Sequence, residues 1–210
     1  HDLAILGYKV TVHEALPVAG GMLAVGIPDY RLPRSVLEQE ITRIETLGVE
    51  IKLSSPIGGA GAPTLADLRR EHDALFLSVG AHEERSLRIA GEELEGVAPG
   101  AVFLREMNLG RAVTVGKRVA IVGGGNVAID AARSALRLGA DSVTIVYRRS
   151  RAEMPASAWE VQDAEEEGID FHFLANPIRI LGKDGRAAGM KCLRMELGEP
   201  DASGRRGPIP

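Results

Sequence analysis

Lys117–Arg151 reads KRVAIVGGGNVAIDAARSALRLGADSVTIVYRRSR, and the fold follows from this stretch. Arg118–Val122 is a short apolar run rich in β-branched residues; three glycines follow at Gly123, Gly124 and Gly125, and a helical pattern begins at Asn126. The order is strand, tight turn, helix. Gly123, Gly125 and Ala128 spell G-x-G-x-x-A, the phosphate-binding fingerprint of a dinucleotide-binding βαβ unit. Gly123 permits the turn, Gly125 lets the backbone approach a pyrophosphate, and small Ala128 lets the helix lie close on the strand. Free N–H groups at the helix start, with the positive end of the helix dipole, then face the phosphates. Gly123, Gly124, Gly125, Asn126, Val127 and Ala128 make up this loop and helix start.

The predicted helix Asn126–Leu138 carries Ala128, Ala131, Ala132 and Ala135 on one face, a stripe small enough to lie against a sheet, with Asp130, Arg133 and Arg137 elsewhere. Gly139 stops it. Ser142–Tyr147 reads as the second, buried strand. At its end an NAD-binding unit carries an acid for the ribose 2′-hydroxyl, whereas this chain has Arg148 and Arg149, with Arg151 close behind. Guanidinium groups suit a 2′-phosphate, which favours NADP(H) over NAD(H). Arginines that stack on adenine, or a merely solvated basic strand end, are the competing readings.

The 210 residues suffice for one or two domains, and 45% hydrophobic with 26% charged is the balance of an ordinary soluble globular protein. A net charge of −4 without a basic stripe argues against nucleic acid as a partner. No apolar run reaches the roughly 18 residues of a spanning helix, and no signal peptide is visible, so no membrane partner is expected and the compartment is read as cytoplasmic. Cys192 is the only cysteine, which excludes internal disulfides, iron–sulfur ligation and a zinc cluster within the chain. It lies in an apolar, strand-like run and reads as buried filler.

At the start, His1–Leu6 reads as the end of a helix, Gly7 as its cap, and Lys9–His13 as a strand closing at Glu14. An acid in that position is the second half of another dinucleotide-binding unit, with Glu14 placed to accept from an adenosine ribose. Its first strand and glycine loop are expected upstream, so the chain is read as a fragment. Ala19–Leu23 and Gly26–Pro33 form a glycine- and proline-rich loop of the kind that wraps a ligand. Pro33 opens a helix with Leu37, Ile41, Ile44 and Leu47 at helical spacing, Gly48 ends it, and Val49–Leu53 reads as a strand. Thr64 and Asp67 form a helix-start box for Leu65–Glu71. Ala74–Val79 reads as a continuous apolar strand breaking at Gly80.

EALPVAGGMLAVGIPDYRLP, DALFLSVGA, IVGGGNVAIDAARSALRLGA and VYRRSRAEMPA together resemble the small subunit of NADPH-dependent glutamate synthase and related NAD(P)H/FAD oxidoreductases, over nearly the whole chain. The resemblance implies an α/β fold of two Rossmann-like dinucleotide-binding domains of the glutathione-reductase kind. On that resemblance residues 1–95 are expected to be an incomplete FAD domain and residues 96–210 an NADPH domain with an added antiparallel hairpin. It implies FAD contacts from Glu14, from Gly20, Gly21 and Met22, from Arg31 and from Gly80. For NADPH it implies the loop 123–128, Arg148 and Arg149 at the 2′-phosphate, and Met154 and Pro155 shaping that pocket. The activity it implies is hydride transfer from NADPH to FAD, then electron transfer to iron–sulfur clusters outside this segment, on the large glutamate synthase subunit or another acceptor. No catalytic acid, base or nucleophile and no metal ligand is assigned. The rivals are a flavoprotein subunit of another NAD(P)H–ferredoxin-type complex and a non-catalytic NADP-binding module.

In the last third, Ser157 with Glu160 is read as a helix cap, Val161 and Ala164 as inward-facing, and Glu165–Glu167 as solvated. Gly168 ends that helix, and Ile169–Leu174 reads as a strand. Ile178–Leu181 and Ala188–Leu197 flank a Gly-Lys-Asp-Gly turn, predicting a hairpin that joins the parallel sheet. Gly198–Pro210 reads as an exposed return segment or disordered tail. His13 and His172 are expected to be packed within strands, and His72 and His82 to lie on the surface.

Overall fold

A computed structural model describes residues 1–82, 86–200, 204 and 206–210. It divides into two compact units, His1–His82 and Glu83–Pro210.

The first unit runs α1 (Asp2–Ile5), β1 (Thr11–His13), α2 (Met22–Val25), α3 (Arg34–Thr46), β2 (Glu50–Lys52) and α4 (Leu65–Glu71). β1 and β2 pair in parallel, Thr11 opposite Glu50, which requires a crossover; α3 supplies it. Leu37, Ile41 and Ile44 on α3 are half-buried, and Leu47 is exposed. α4 begins with the expected box: Thr64 Oγ1 accepts from Asp67 N at 3.2 Å, and Asp67 Oδ2 accepts from Thr64 N at 2.9 Å. Aspartate therefore does what glutamate more often does there. Ala74–Val79 departs from expectation. It forms no strand, neither β1 nor β2 pairs with it, and Phe76, Leu77 and Val79 are exposed.

The second unit runs α5 (Gly100–Asn108), β3 (Arg118–Val122), α6 (Asn126–Arg137), β4 (Ser142–Tyr147), a 3-10 turn (Arg151–Glu153), α7 (Ala158–Glu166), β5 (Asp170–Phe173), β6 (Ala175–Lys183), β7 (Arg186–Arg194), β8 (Glu196–Pro200) and β9 (Arg206–Ile209). β3, β4 and β5 form a parallel sheet with β4 in the middle, Ile121 opposite Ile145 and Ile145 opposite Phe171. Ile129, Ala132 and Ala135 of α6 pack with Val143, Ile145, Val161, Ala164 and Ile169 into one core. The small stripe on α6 thus meets the sheet. Yet the helix is buried further round than its pattern predicts: Asp130, Arg133 and Ser134 are also buried, since α5 and α7 pack against α6 as well.

That packing corrects the reading of the acidic run. Glu167 is half-buried and accepts from Arg133 Nε at 3.0 Å and Nη2 at 2.7 Å, and from Arg137 Nη1 at 2.6 Å. Arg137 first, and Arg133 after it, lower its carboxyl to about 2. Glu165 pairs with Arg151. Ser157 does precede α7, but its side chain makes no cap bond and Glu160 is buried instead. His172 is exposed, because edge strand β5 alternates and its two phenylalanines take the covered side.

β6 and β7 form the expected hairpin, turning at Asp184 (φ 52°) and Gly185 (φ 78°), the left-handed pair of a tight two-residue turn. The hairpin is its own ribbon and does not extend the parallel sheet as predicted. Ala90 and Glu95 bridge to its two strands. Of the two readings for 198–210, the described residues favour a return segment: β8 and β9 pair antiparallel, Glu196 opposite Ile209. Glycine and proline had masked that pairing in the sequence. Among the described residues no helix is long and apolar enough to cross a membrane.

Candidate functional site

The turn after β3 separates three adjacent glycines by what each one needs. Gly123 continues the ladder, its N–H donating to Val146 O at 3.1 Å, and has φ 142°, which disfavours any other residue. Gly124 is buried, and a Cβ on it would lie 2.6 Å from the Tyr147 ring. Gly125 has neither constraint: its backbone is extended, and an added Cβ would make only ordinary contact, 3.9 Å from Pro155 Cγ. Nothing within the unit demands glycine at 125, whereas a pyrophosphate lying on that backbone would.

Three helices begin around this loop. Gly125 caps α6. Asn126 Oδ1 accepts from Ser157 N at 3.2 Å, which brings the start of α7 beside it. Gly100, the first residue of α5, approaches Val127, where a built Cβ would stand 3.5 Å from Cγ1. The positive end of each helix dipole falls near the loop, which suits it to an anion. The Met154–Pro155 segment holds it in place, since Ala156 N donates to Gly124 O at 3.1 Å and Met154 packs on the core.

The end of β4 is basic, but its arginines are not equivalent. Arg151 is engaged by Glu165. Arg148 is exposed and has no hydrogen bond or ion pair among the described residues. Arg149 is half-buried; its carbonyl accepts from Leu174 N at 3.1 Å, and its Nε donates to Arg206 O at 2.9 Å. Behind it lies Glu153, 7% exposed, which accepts from Ser150 Oγ at 2.5 Å and Arg206 Nε at 3.0 Å. Ser150 chiefly, and Arg206 after it, hold the Glu153 carboxyl below the usual carboxylate range despite its burial. Tyr147 Oη donates to Glu153 O at 2.8 Å. Arg206 and Glu153 escaped sequence reading because they are 53 residues apart and no motif links them.

In the first unit the predicted residues occupy distinct local settings. Glu14 caps the end of β1, its carboxylate accepting from Leu16 N at 2.8 Å. Gly20, Gly21 and Met22 are contiguous at the start of α2, and a Cβ on Gly21 would meet nothing within 4 Å. Arg31 follows the turn at Pro28, and Gly80 lies beyond the unpaired run 74–79. Arg34, unnoticed in the sequence, braces the intervening loop through Nη1 to Leu23 O at 2.9 Å and Nη2 to Ile27 O at 2.6 Å, while Asp29 accepts from its N–H. Among the described residues no group of three or more His, Cys, Asp or Glu is placed to hold a metal. Cys192 is half-buried, and burial raises its thiol pKa.

From residue 3 to residue 201 the sequence matches the family described as pyridine nucleotide-disulphide oxidoreductase. The chain belongs to that family. Within this oxidoreductase family it is 55% identical to the β subunit of NADP(+)-dependent formate dehydrogenase from Moorella thermoacetica, covering 100% of this chain and 30% of that protein. It is 37% identical to the glutamate synthase [NADPH] small chain of Escherichia coli, over 95% of this chain and 44% of that one. The chain therefore spans less than half of either relative. Among solved structures, FprA of Mycobacterium tuberculosis in complex with NADPH superposes with a TM-score of 0.79 at 22% identity, over 96% of this chain and 60% of that one. That likeness establishes the fold, a pair of oxidoreductase-type dinucleotide-binding units.

Proposed function

We propose that this oxidoreductase chain carries the nucleotide-handling part of an NADPH-dependent flavoprotein that passes electrons to iron–sulfur centres on another segment or subunit. The observation that carries the reading is the end of β4, where an acid would select NADH but Arg148 and the terminal nitrogens of Arg149 stand uncommitted among the described residues. In this reading Gly125 and the three helix starts receive the pyrophosphate, and Met154 and Pro155 bound the pocket. The segment 1–95 is assigned to FAD and 96–210 to NADPH. Glu14, Gly20, Gly21, Met22, Arg31 and Gly80 would hold FAD, and the open side of Gly21 fits close approach by a flat ligand. When bound, that group supplies hydride acceptance and single-electron release. The chain's own residues bind and orient; none is given a proton to move. The partner is a large glutamate synthase subunit or another iron–sulfur acceptor; that there is a partner is supported by the naming of the two relatives as a β subunit and a small chain.

Calorimetric titration with NADPH and NADH tests this, repeated on Arg148→Ala/Arg149→Ala. The expected preference for NADPH is about tenfold or more, or about 1.4 kcal/mol, and the double variant loses it. Equal affinity in the unaltered chain overturns the 2′-phosphate assignment, and binding of neither nucleotide overturns the assignment of the loop.

A further inference from the structure

Arg206, on the hairpin of β8 and β9, reaches the basic end of β4 from 57 residues further along the chain. Arg206 touches the site twice: its carbonyl accepts from Arg149 Nε at 2.9 Å, and its own Nε donates to Glu153 Oε1 at 3.0 Å. We infer that Arg206 is a positioning residue that determines the preference for NADPH, aiming the Arg149 guanidinium and cancelling the charge of Glu153 beside the 2′-phosphate. This rests on the assignment of Arg148 and Arg149 to that phosphate.

The aim comes from guanidinium geometry. With Nε taken by a backbone carbonyl, the plane of Arg149 is fixed, and its two terminal nitrogens remain as a fork for two phosphate oxygens. The Arg149 backbone is held as well, by Leu174 N on its carbonyl. The charge argument concerns Glu153. Its carboxylate is buried four residues after Arg149 and accepts from Ser150 Oγ on one oxygen and from Arg206 on the other. Left alone, a carboxylate there repels a phosphate dianion and tolerates a hydroxyl, so it would steer the site toward NADH. Paired with Arg206 it is neutralised. The cluster around the end of β4 then keeps the positive balance of Arg148 and Arg149.

The test is a double-mutant cycle on the whole chain: Arg206→Gln, Glu153→Gln and the two combined, with Arg206→Lys as the conservative variant, each titrated with NADPH and with NADH. Arg206→Gln is expected to cut the NADPH-over-NADH ratio about tenfold while NADH affinity stays within about twofold. Adding Glu153→Gln to it restores most of the ratio, and Arg206→Lys restores part. The inference is overturned if Arg206→Gln weakens both nucleotides alike, which is what a purely structural anchor gives, or if Glu153→Gln restores nothing. A lack of preference in the unaltered chain is a separate result, which removes the 2′-phosphate assignment itself.

Discussion

In the unit Glu83–Pro210, Leu104, Ile129 and Ile145 are sealed from solvent, while in His1–His82 Phe76, Leu77 and Val79 stand 88, 63 and 79% exposed. Both units are written in the same alphabet of parallel strands and crossover helices. They differ in how many layers meet. α6 packs against a three-stranded sheet and against the helices α5 and α7, so even Arg133 and Asp130 are buried. In the first unit the sheet is only the pair β1 and β2 among the described residues, α3 packs chiefly on the short α2, and its apolar stripe stays half-buried. A helical stripe specifies a face; whether that face becomes core depends on a partner layer, and two strands provide little of one.

The strongest way to break this comparison is to remove a core side chain from each unit. Ile145→Ala is expected to destabilise the second unit by about 3 to 4 kcal/mol, and Ile41→Ala the first by only about 1 kcal/mol, read by hydrogen exchange resolved along the chain. Equal losses would mean that the units do not differ in packing. A smaller effect concerns the ion-pair clasp between α6 and α7. The folded value for Glu167, about 2, lies below its ordinary 4.5, so the stabilisation is fully present above 4.5 and is lost as pH falls through about 2. Glu167→Gln should cost about 1 to 3 kcal/mol at neutral pH and flatten the acid limb of an unfolding-versus-pH curve in that window. An unchanged limb would detach the clasp from the fold. Smallest and most local is Thr64→Ala, expected to speed amide exchange in the first turn of α4 by about 1 kcal/mol without altering the second unit.

The βαβ unit at residues 118–147 was legible because its signals are local: β-branched runs, a glycine turn and a small-residue stripe. So was the D-G hairpin turn. Burial of Arg133 was not, since the carboxylate that receives it comes from 34 residues away. The run Ala74–Val79 misleads because a continuous apolar segment reads as a buried strand whether or not a partner strand exists. At the candidate site, spacing singled out Gly123, Gly125, Arg148 and Arg149. It did not reveal that Gly124 answers to Tyr147, that Asn126 ties α7 to the loop, or that Arg206 reaches back to Glu153.

The reach of the β8–β9 hairpin also sets an order of events during synthesis. At about 5 to 20 residues per second, the 57 residues between Arg149 and Arg206 take about 3 to 11 s to follow, time enough for β3, β4 and β5 to pair first. Until Arg206 arrives, Glu153 carries its charge without that partner. A nascent chain therefore has its glycine loop before the contact that is inferred to make it discriminate, and under that inference selectivity is gained only as translation proceeds.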